Sequence, residues 1–594
     1  MRFPSLVAGL PASVLCRIIP RMTPRFACLF IAGFGLQTAT AVPPDLILHH
    51  GKVVTVDKPF SIAQALAITG DRITAIGSNA DVLQTKGPQT KLVDLSGKMV
   101  MPGLIDSHVH PGAALTEYDH PIPVMESIAD VLAYVTARAK ALPQGQWIEL
   151  DQVFITRLKE QRYPTRQELD RAAPKHPVAF RTGPDASLNS LALELSGLDR
   201  ASTIKDGGPG QLERDAAGEL TGILRGCTRL VKSKSPRKSA STKEHRERLQ
   251  QLFADYNAVG ITSVCDRSAN AGSIEHYQSL REAGTLTVRM ALSHFIRNQG
   301  PIDQITGEIR SVAAHPLFKK KDPMLRLIGT KTFLDGGMLT GSAYMRQPWG
   351  RSSIYAITDA EYRGLLFINA ERLTPMVRAA AESRLQFTAH AVGDGAVHAL
   401  LDAYETVAKD LPIARTRPCI THCNFMSAEA VKRMAPLGVV ADIQPAWLYL
   451  DARTLEQQFG YERLRWFQPL RSLFEAGAVA GGGSDHMQKI GSLRSVNPYN
   501  PFLGMATALT RKARWREGAL HPEESLTREQ ALRFYTANNA FLMFAEDEVG
   551  SLQAGKLADF IVLDRDLLTC PDDEIAGAKV LQTYLGGRRI FAAK

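Results

Sequence analysis

The sequence predicts an α/β fold organised as a (β/α)8 TIM-like barrel. Three observations lead there. The chain of 594 residues is long enough for a large core, short apolar or β-branched runs alternate with longer helical segments, and metal-binding residue types stand where several of those runs end. Runs such as Gly260 to Asp266 and Val288 to His294, separated by helical patterns, read as parallel strands with helical crossovers. Chemistry displayed at C-terminal strand ends is what such a barrel provides.

Taken in order, residues 1–41 read as a targeting segment, either a signal peptide or an N-terminal anchor. Arg17, Arg21 and Arg25 precede the apolar stretch Phe26 to Leu36, and Ala39-Thr40-Ala41 offers small residues suited to cleavage. The stretch is short for a membrane span. Export to a periplasm or the extracellular space is the expectation. The alternatives are membrane anchoring, or a cytoplasmic protein whose start is misassigned, with Met22 as a second possible start.

Residues 42–104 read as short strands: Leu46 to Leu48, Lys52 to Val56, then Ala65 to Ile68 and Ile73 to Ile76 joined by a tight turn at Gly70-Asp71. The run Met101 to Ser107 then ends in His108 and His110. On a strand the i, i+2 spacing puts both imidazoles on one face, a start for a zinc or similar divalent site. An exposed pair holding nothing is the plain alternative, so further ligands are needed. Residues 113–225 are too long for an ordinary βα loop and read as an insert near the barrel mouth.

Four more polar residues follow apolar runs and precede glycine or polar residues: Lys331, His390, His422 and Asp485. Asp394, just after Gly393, reads as fixing the loop or a ligand histidine rather than reacting. Near the C-terminus, Thr527 with Gln530 forms a capping box, and strands Phe560 to Leu563, Thr583 to Leu585 and Arg589 to Phe591 repeat the style of the first segment, the last two joined across Gly586-Gly587. The barrel is expected over 105–546, with 547–594 returning to strands.

With 22% charged residues, the composition fits a globular protein and excludes disordered and fibrous classes. The net charge of +10 falls to +6 without residues 1–41. The basic run Lys232 to Arg248 has little aromatic interleaving and reads as a solvated loop entering a helix, so no nucleic-acid partner is expected. Seven cysteines make no disulfide framework in a chain this long, and Cys419 and Cys423, flanking His422, read as packing or near-site residues.

The ordered set His108-x-His110, Lys331, His390, His422, Asp485 resembles the metal-dependent amidohydrolase superfamily. The surrounding chain is similar to its amidohydrolase 3 family, in the N-substituted formamide deformylase branch. Trp147-Ile148, Pro164 to Asp170, Asn189 to Leu193, Gly218 to Gly222 and Gly550 to Asp559 carry the likeness further. The resemblance implies that the terminal strands combine into one small discontinuous β-sandwich beside the barrel. It also implies a ligand set of His108, His110, Lys331, His390, His422 and Asp485, holding one or two divalent ions, zinc first among them. Lys331 would be carboxylated to a carbamate, since a protonated lysine has no lone pair to offer. An unmodified Lys331 that orients substrate or pairs with Asp335 is the alternative.

The chemistry expected is metal-assisted hydrolysis of a C–N bond in a small non-peptide amide, formamide or carbamate, with Asp485 as a ligand that also carries the proton from water to the departing amine. No Gly-x-Ser-x-Gly elbow supports an acyl-enzyme, and Gly481-Gly482-Gly483-Ser484 lacks the ending of a phosphate cradle. An esterase on the same site, a non-catalytic binding or regulatory protein, and a metal-dependent isomerase or lyase are the alternatives.

Departures from the family pattern lie around the substrate: Gly183-Pro184-Asp185-Ala186-Ser187 where relatives usually carry a histidine shortly before the Asn189 to Leu193 segment, Arg225-Gly226-Cys227 where a glutamate is common, and His486 in place of the usual aromatic residue. Tyr344, Arg346, Trp349 and His486 are the candidate substrate contacts. The partner is a small molecule, no stable membrane span is expected after leader removal, and a homo-oligomer is possible.

Overall fold

The computed structural model describes residues 42–594 except 113–121, 152, 183–184, 207, 209, 235–239 and 488–496. The leader assigned to 1–41, and the first residues of the insert, lie outside the described residues. Residues from Pro43 to Lys594 form one compact unit. Among the described residues no helix is long and apolar enough to cross a membrane.

Eight strands make the central sheet, each parallel to the next: β1 (Leu104–Val109), β2 (Ile261–Ala269), β3 (Arg289–Phe295), β4 (Leu325–Phe333), β5 (Gln386–Ala391), β6 (Cys419–His422), β7 (Val440–Ile443) and β8 (Ala480–Gly482). Helices such as Ala271–Glu282, Ile302–Val312, Ala370–Glu382 and Asp394–Ala408 connect successive strands, as the alternating pattern requires. The strands are buried along nearly their whole length, which is why they read as continuous apolar runs rather than alternating ones.

The ring closes just beyond the ends of β1 and β8. Val109 bridges His486 in parallel, the Asp485 N–H donates to the His108 carbonyl at 2.8 Å, and the His110 N–H donates to the His486 carbonyl at 2.9 Å. Asp106 stitches the same seam, its Oδ1 accepting from the backbone N–H of His108 and of Ser484, each at 3.0 Å. Burial lifts this carboxyl to about 7 despite those donors. The glycines before Ser484 have a steric cause: a Cβ on Gly483 would lie 2.8 Å from the His108 Cβ, and one on Gly481 2.0 Å from the Asn539 Oδ1.

The terminal segments meet as expected. Met99–Pro102 pairs antiparallel with Phe560–Leu563 inside a six-stranded sheet, and a four-stranded sheet carries Leu46–His49, Ala65–Thr69, Arg72–Gly77 and Lys91–Asp94. A shared apolar cluster, including Leu48, Leu66, Val100 and Phe560, packs the two sheets together. Gly70, Gly586 and Gly587 sit at the hairpin turns with φ of 60°, 52° and 71°, the left-handed region that such turns demand. Helix Arg528–Phe534 starts with the full Thr527/Gln530 capping box. The basic run leads into helix Thr242–Ala258, capped by Ser241, while 235–239 lie outside the described residues.

The insert folds as its own five-stranded sheet, in the order Gln211–Arg214, Leu220–Arg225, Asp185–Leu188, Val178–Thr182, Ile148–Leu150. Its apolar residues Phe154, Ile155, Tyr163 and Phe180 share a cluster with Met338, Leu339 and Trp349 from the loop after β4 and Trp447 from the helix after β7. The insert therefore packs on the C-terminal side of the barrel.

Candidate metal centre at the barrel mouth

Three donor atoms converge where β1 and β8 end. His108 Nε2 lies 3.2 Å from His110 Nε2, and Asp485 Oδ1 lies 3.4 Å from the first and 3.1 Å from the second. A tetrahedral zinc site with bonds of about 2.0–2.1 Å places its donor atoms about 3.3 Å apart, so the spacing fits one divalent ion. The second histidine nitrogen is also placed as a ligand requires. His108 Nδ1 lies 2.8 Å from Asp442 Oδ2, an arrangement that puts the proton on Nδ1 and the lone pair on Nε2.

Electrostatics point the same way. Burial holds His108 well below the ordinary imidazole value, and so neutral. Burial also opposes charge on His110, but the carboxylates of Asp266, 3.9 Å from Nδ1, and Asp485, 3.1 Å from Nε2, outweigh it and lift the ring to about 9. A site that draws a proton onto its histidine in this way is one that favours a cation. Asp485 has φ of 53°, a left-handed backbone for which a non-glycine residue gives up about 1–2 kcal/mol. Strain of this kind persists where the surroundings hold the residue in place.

The other expected ligands surround this trio without joining it. His422 ends β6 with φ of 81° and lies 5.1 Å from His108, ring centre to ring centre, with its Nδ1 2.7 Å from Gln444 Oε1. His390 sits 4.5 Å from His422, and its Nε2 faces the Gly336 carbonyl at 3.1 Å. Burial keeps both neutral, His390 pushed down to about 3. Lys331 is 1% exposed, and desolvation lowers its amine to about 8. Among the described residues no carboxylate stands within ion-pair distance of its Nζ. Asp335, the alternative partner, instead accepts the backbone N–H groups of Val392, Gly393 and Tyr344 at 2.9–3.0 Å. Burial outweighs the attraction of Asp442 and Asp485, so the charged form of the amine is disfavoured, as carboxylation requires.

The expected substrate contacts divide. Tyr344 is half-buried in the loop after β4. Trp349, expected at the pocket, is packed at 2% exposure against Tyr355 and Phe459, its Nε1 donating to the Ala343 carbonyl at 2.8 Å. Arg346 turns toward His398 Nε2 at 3.0 Å and Glu429 at 3.5 Å, and its backbone N–H is tied to Asp394 Oδ1 at 2.8 Å, so Asp394 fixes the loop. His486 is buried behind the seam, its Nδ1 2.8 Å from the Tyr256 hydroxyl. Cys419 and Cys423 are both buried, with thiols pushed up by desolvation.

Two residues packed against the candidate centre escaped the sequence reading. Asp442 orients His108, accepts the Ser107 hydroxyl at 2.7 Å and faces Arg267 Nε at 3.6 Å, all inside the barrel. Trp447 lies flat on His422, ring centres 4.8 Å apart at 14°. A single acid within the apolar strand Val440–Ile443 was the one available signal for Asp442.

The fold and site together define a (β/α)8 barrel with a histidine and carboxylate centre at its mouth. Residues 91–591 match the amidohydrolase family model, and the chain belongs to that family. It is 31% identical over 559 residues to N-substituted formamide deformylase of Arthrobacter pascens, spanning 91% of this chain and 97% of that protein. It is 28% identical to protein LONG AFTER FAR-RED 3 of Arabidopsis thaliana, over 99% of both. Among solved structures, a metal-dependent hydrolase of uncharacterised function from Pyrococcus furiosus superposes with a TM-score of 0.62 at 23% identity, over 88% of this chain and all of that one.

Proposed function

We propose that this protein is a metal-dependent hydrolase of C–N bonds in small non-peptide amides, formamides or carbamates. The observation that carries the reading is the convergence of His108 Nε2, His110 Nε2 and Asp485 Oδ1 within 3.4 Å of one another at the barrel mouth. These three would hold the ion, zinc first among the choices, with Lys331 as its carbamate and the neighbouring His390 and His422 completing the centre. A divalent ion bound there acidifies water and polarises a carbonyl oxygen. Asp485 takes the proton from the attacking water on its carboxylate and delivers it to the leaving nitrogen, which cannot depart as an anion. Asp442 keeps His108 in the tautomer that presents Nε2. The insert shares an apolar cluster with Ala343 and Met345, on either side of Tyr344, and would narrow access to the site. Trp349 and His486, buried against other protein groups, serve as scaffold, while Arg346 remains exposed beside His398 and Glu429.

The test is elemental analysis of the purified protein, paired with hydrolysis of a panel of N-acyl amines before and after chelation and in 18O-labelled water. One or two ions per chain, activity lost on chelation and regained with zinc, and label in the acid product are expected. Protein that takes up no metal, or a product without solvent oxygen, removes this reading.

A further inference from the structure

We infer that Asn497 is a positioning residue for Asp485, and that Arg157 extends its hold into the insert, so that the seating of the insert and the geometry of the centre are coupled. The inference rests on the reading of Asp485 as ligand and proton carrier.

Asn497 is fully buried and faces three ways. Its Nδ2 donates to the Asp485 carbonyl at 2.6 Å, while its Oδ1 accepts from Arg157 Nη1 at 3.1 Å and from Trp447 Nε1 at 3.2 Å. Two donors on one side and an acceptor on the other fix the orientation of the amide. Arg157 is itself clamped. Its Nε and Nη2 donate to Asp451 Oδ1 and Oδ2 at 3.1 and 2.9 Å, which directs Nη1 toward Asn497. Thr156, beside it in the insert, donates its hydroxyl to the same Asp451 at 2.7 Å.

Asp485 needs such a hold. Its backbone is left-handed, and on its amide side it is tied to the His108 carbonyl. The Asn497 amide supplies the tie on the carbonyl side. Through Trp447, which lies flat against His422, the same side chain also braces a second residue of the centre. An aspartate at 497 would keep the attraction to Arg157 but set an oxygen against the Asp485 carbonyl oxygen. An alanine would strip three buried groups of one partner each.

The test compares the parent with N497A, N497D, R157A, R157K and the double variant R157A/N497A. Zinc affinity is read by competition with a chromophoric chelator, kcat and KM with an N-acyl amine that the parent hydrolyses, and folding by melting temperature. We expect N497A and N497D to weaken zinc binding or lower kcat by about 10–100-fold, with KM within about threefold. R157A should act in the same direction but less, R157K should recover part of the loss, and the double variant should be no worse than N497A, because both act along one chain of contacts. Folded N497D with the parent's zinc affinity and kcat overturns the inference, as do losses from R157A and N497A that multiply in the double variant. A parent that neither binds zinc nor hydrolyses any amide removes the reading of the centre and the positioning role with it. A working parent with unaffected variants removes the positioning role alone.

Discussion

His108 Nδ1 and Asp442 Oδ2 lie 2.8 Å apart with both side chains fully buried. The contact fixes which nitrogen of His108 faces the mouth, and Arg267 at 3.6 Å keeps company with the carboxylate it depends on.

Asp442→Asn should keep the volume but lose the anion. Zinc affinity should fall about 10–100-fold, as for other residues that orient a ligand histidine. Arg267 is left facing a neutral group, so urea unfolding should show a loss of roughly 3–5 kcal/mol, the scale for breaking a buried ion pair. Parent-like zinc affinity in the folded variant would argue against the orienting role.

Asp485→Asn should lower kcat by about 10²–10⁴-fold, the range for removing a positioned proton carrier. Rapid-quench and steady-state rates measured at matched metal content separate this loss from simple failure to load the ion.

Lys331 should take up carbon dioxide. Burial lowers its amine to about 8, so roughly a tenth is neutral at pH 7, against far less for an ordinary lysine. Protein equilibrated with 13C-bicarbonate and metal should give a carbamate carbon signal that is missing in Lys331→Arg. Identical spectra from the two proteins would leave Lys331 unmodified.

The insert carries an acid-sensitive joint. Arg162 grips both oxygens of Glu168 at 2.8 and 2.7 Å, and that contact, ahead of the capping bonds from Thr165, depresses the carboxyl from 4.5 to about 2 against a smaller opposing effect of burial. The folded value lies below the unfolded one, so the contribution is complete above about pH 4.5 and lost as the pH falls toward 2. The stability gap between parent and Glu168→Gln should therefore be widest near neutrality and close in acid. A gap independent of pH would locate the effect elsewhere.

Gly483→Ala should damage the seam itself. The added methyl would meet His108 Cβ at 2.8 Å and its nitrogen at 2.9 Å, both backbone-anchored neighbours with no room to yield. Lower melting temperature together with weaker zinc binding is the expected pair of results, the first on the scale of about 1–3 kcal/mol for overpacking.

What the sequence makes legible follows from local rules. The i, i+2 spacing of His108 and His110 is strand geometry, and Asp485 stands out because three glycines announce a close approach just before it. The sandwich strand Lys91–Asp94 went unread, since three of its four side chains are exposed and it has no apolar pattern to recognise. Asp442 and Asn497 are set by tertiary contact: 334 residues separate Asp442 from His108, and no spacing rule reaches that far. His422 has a φ of 81°, a backbone turn at the end of its strand that no residue pattern announces. Trp349 illustrates another limit, as an aromatic residue in a loop near a site can serve the packing beneath it as readily as the ligand above.

The seam that joins Asp106 to Ser484 spans 378 residues of chain. During synthesis the two halves of the centre are therefore made far apart in time, and His108 and His110 wait for the whole run of helices and strands between before Asp485 arrives. Until the last strand docks against the first, the growing chain holds His108 and His110 without the carboxylate that stands beside them in the folded protein. On the proposed reading, metal uptake would be a late event in assembly, and an ion bound across β1 and the turn after β8 would fasten the ring at the seam between its first and last strands.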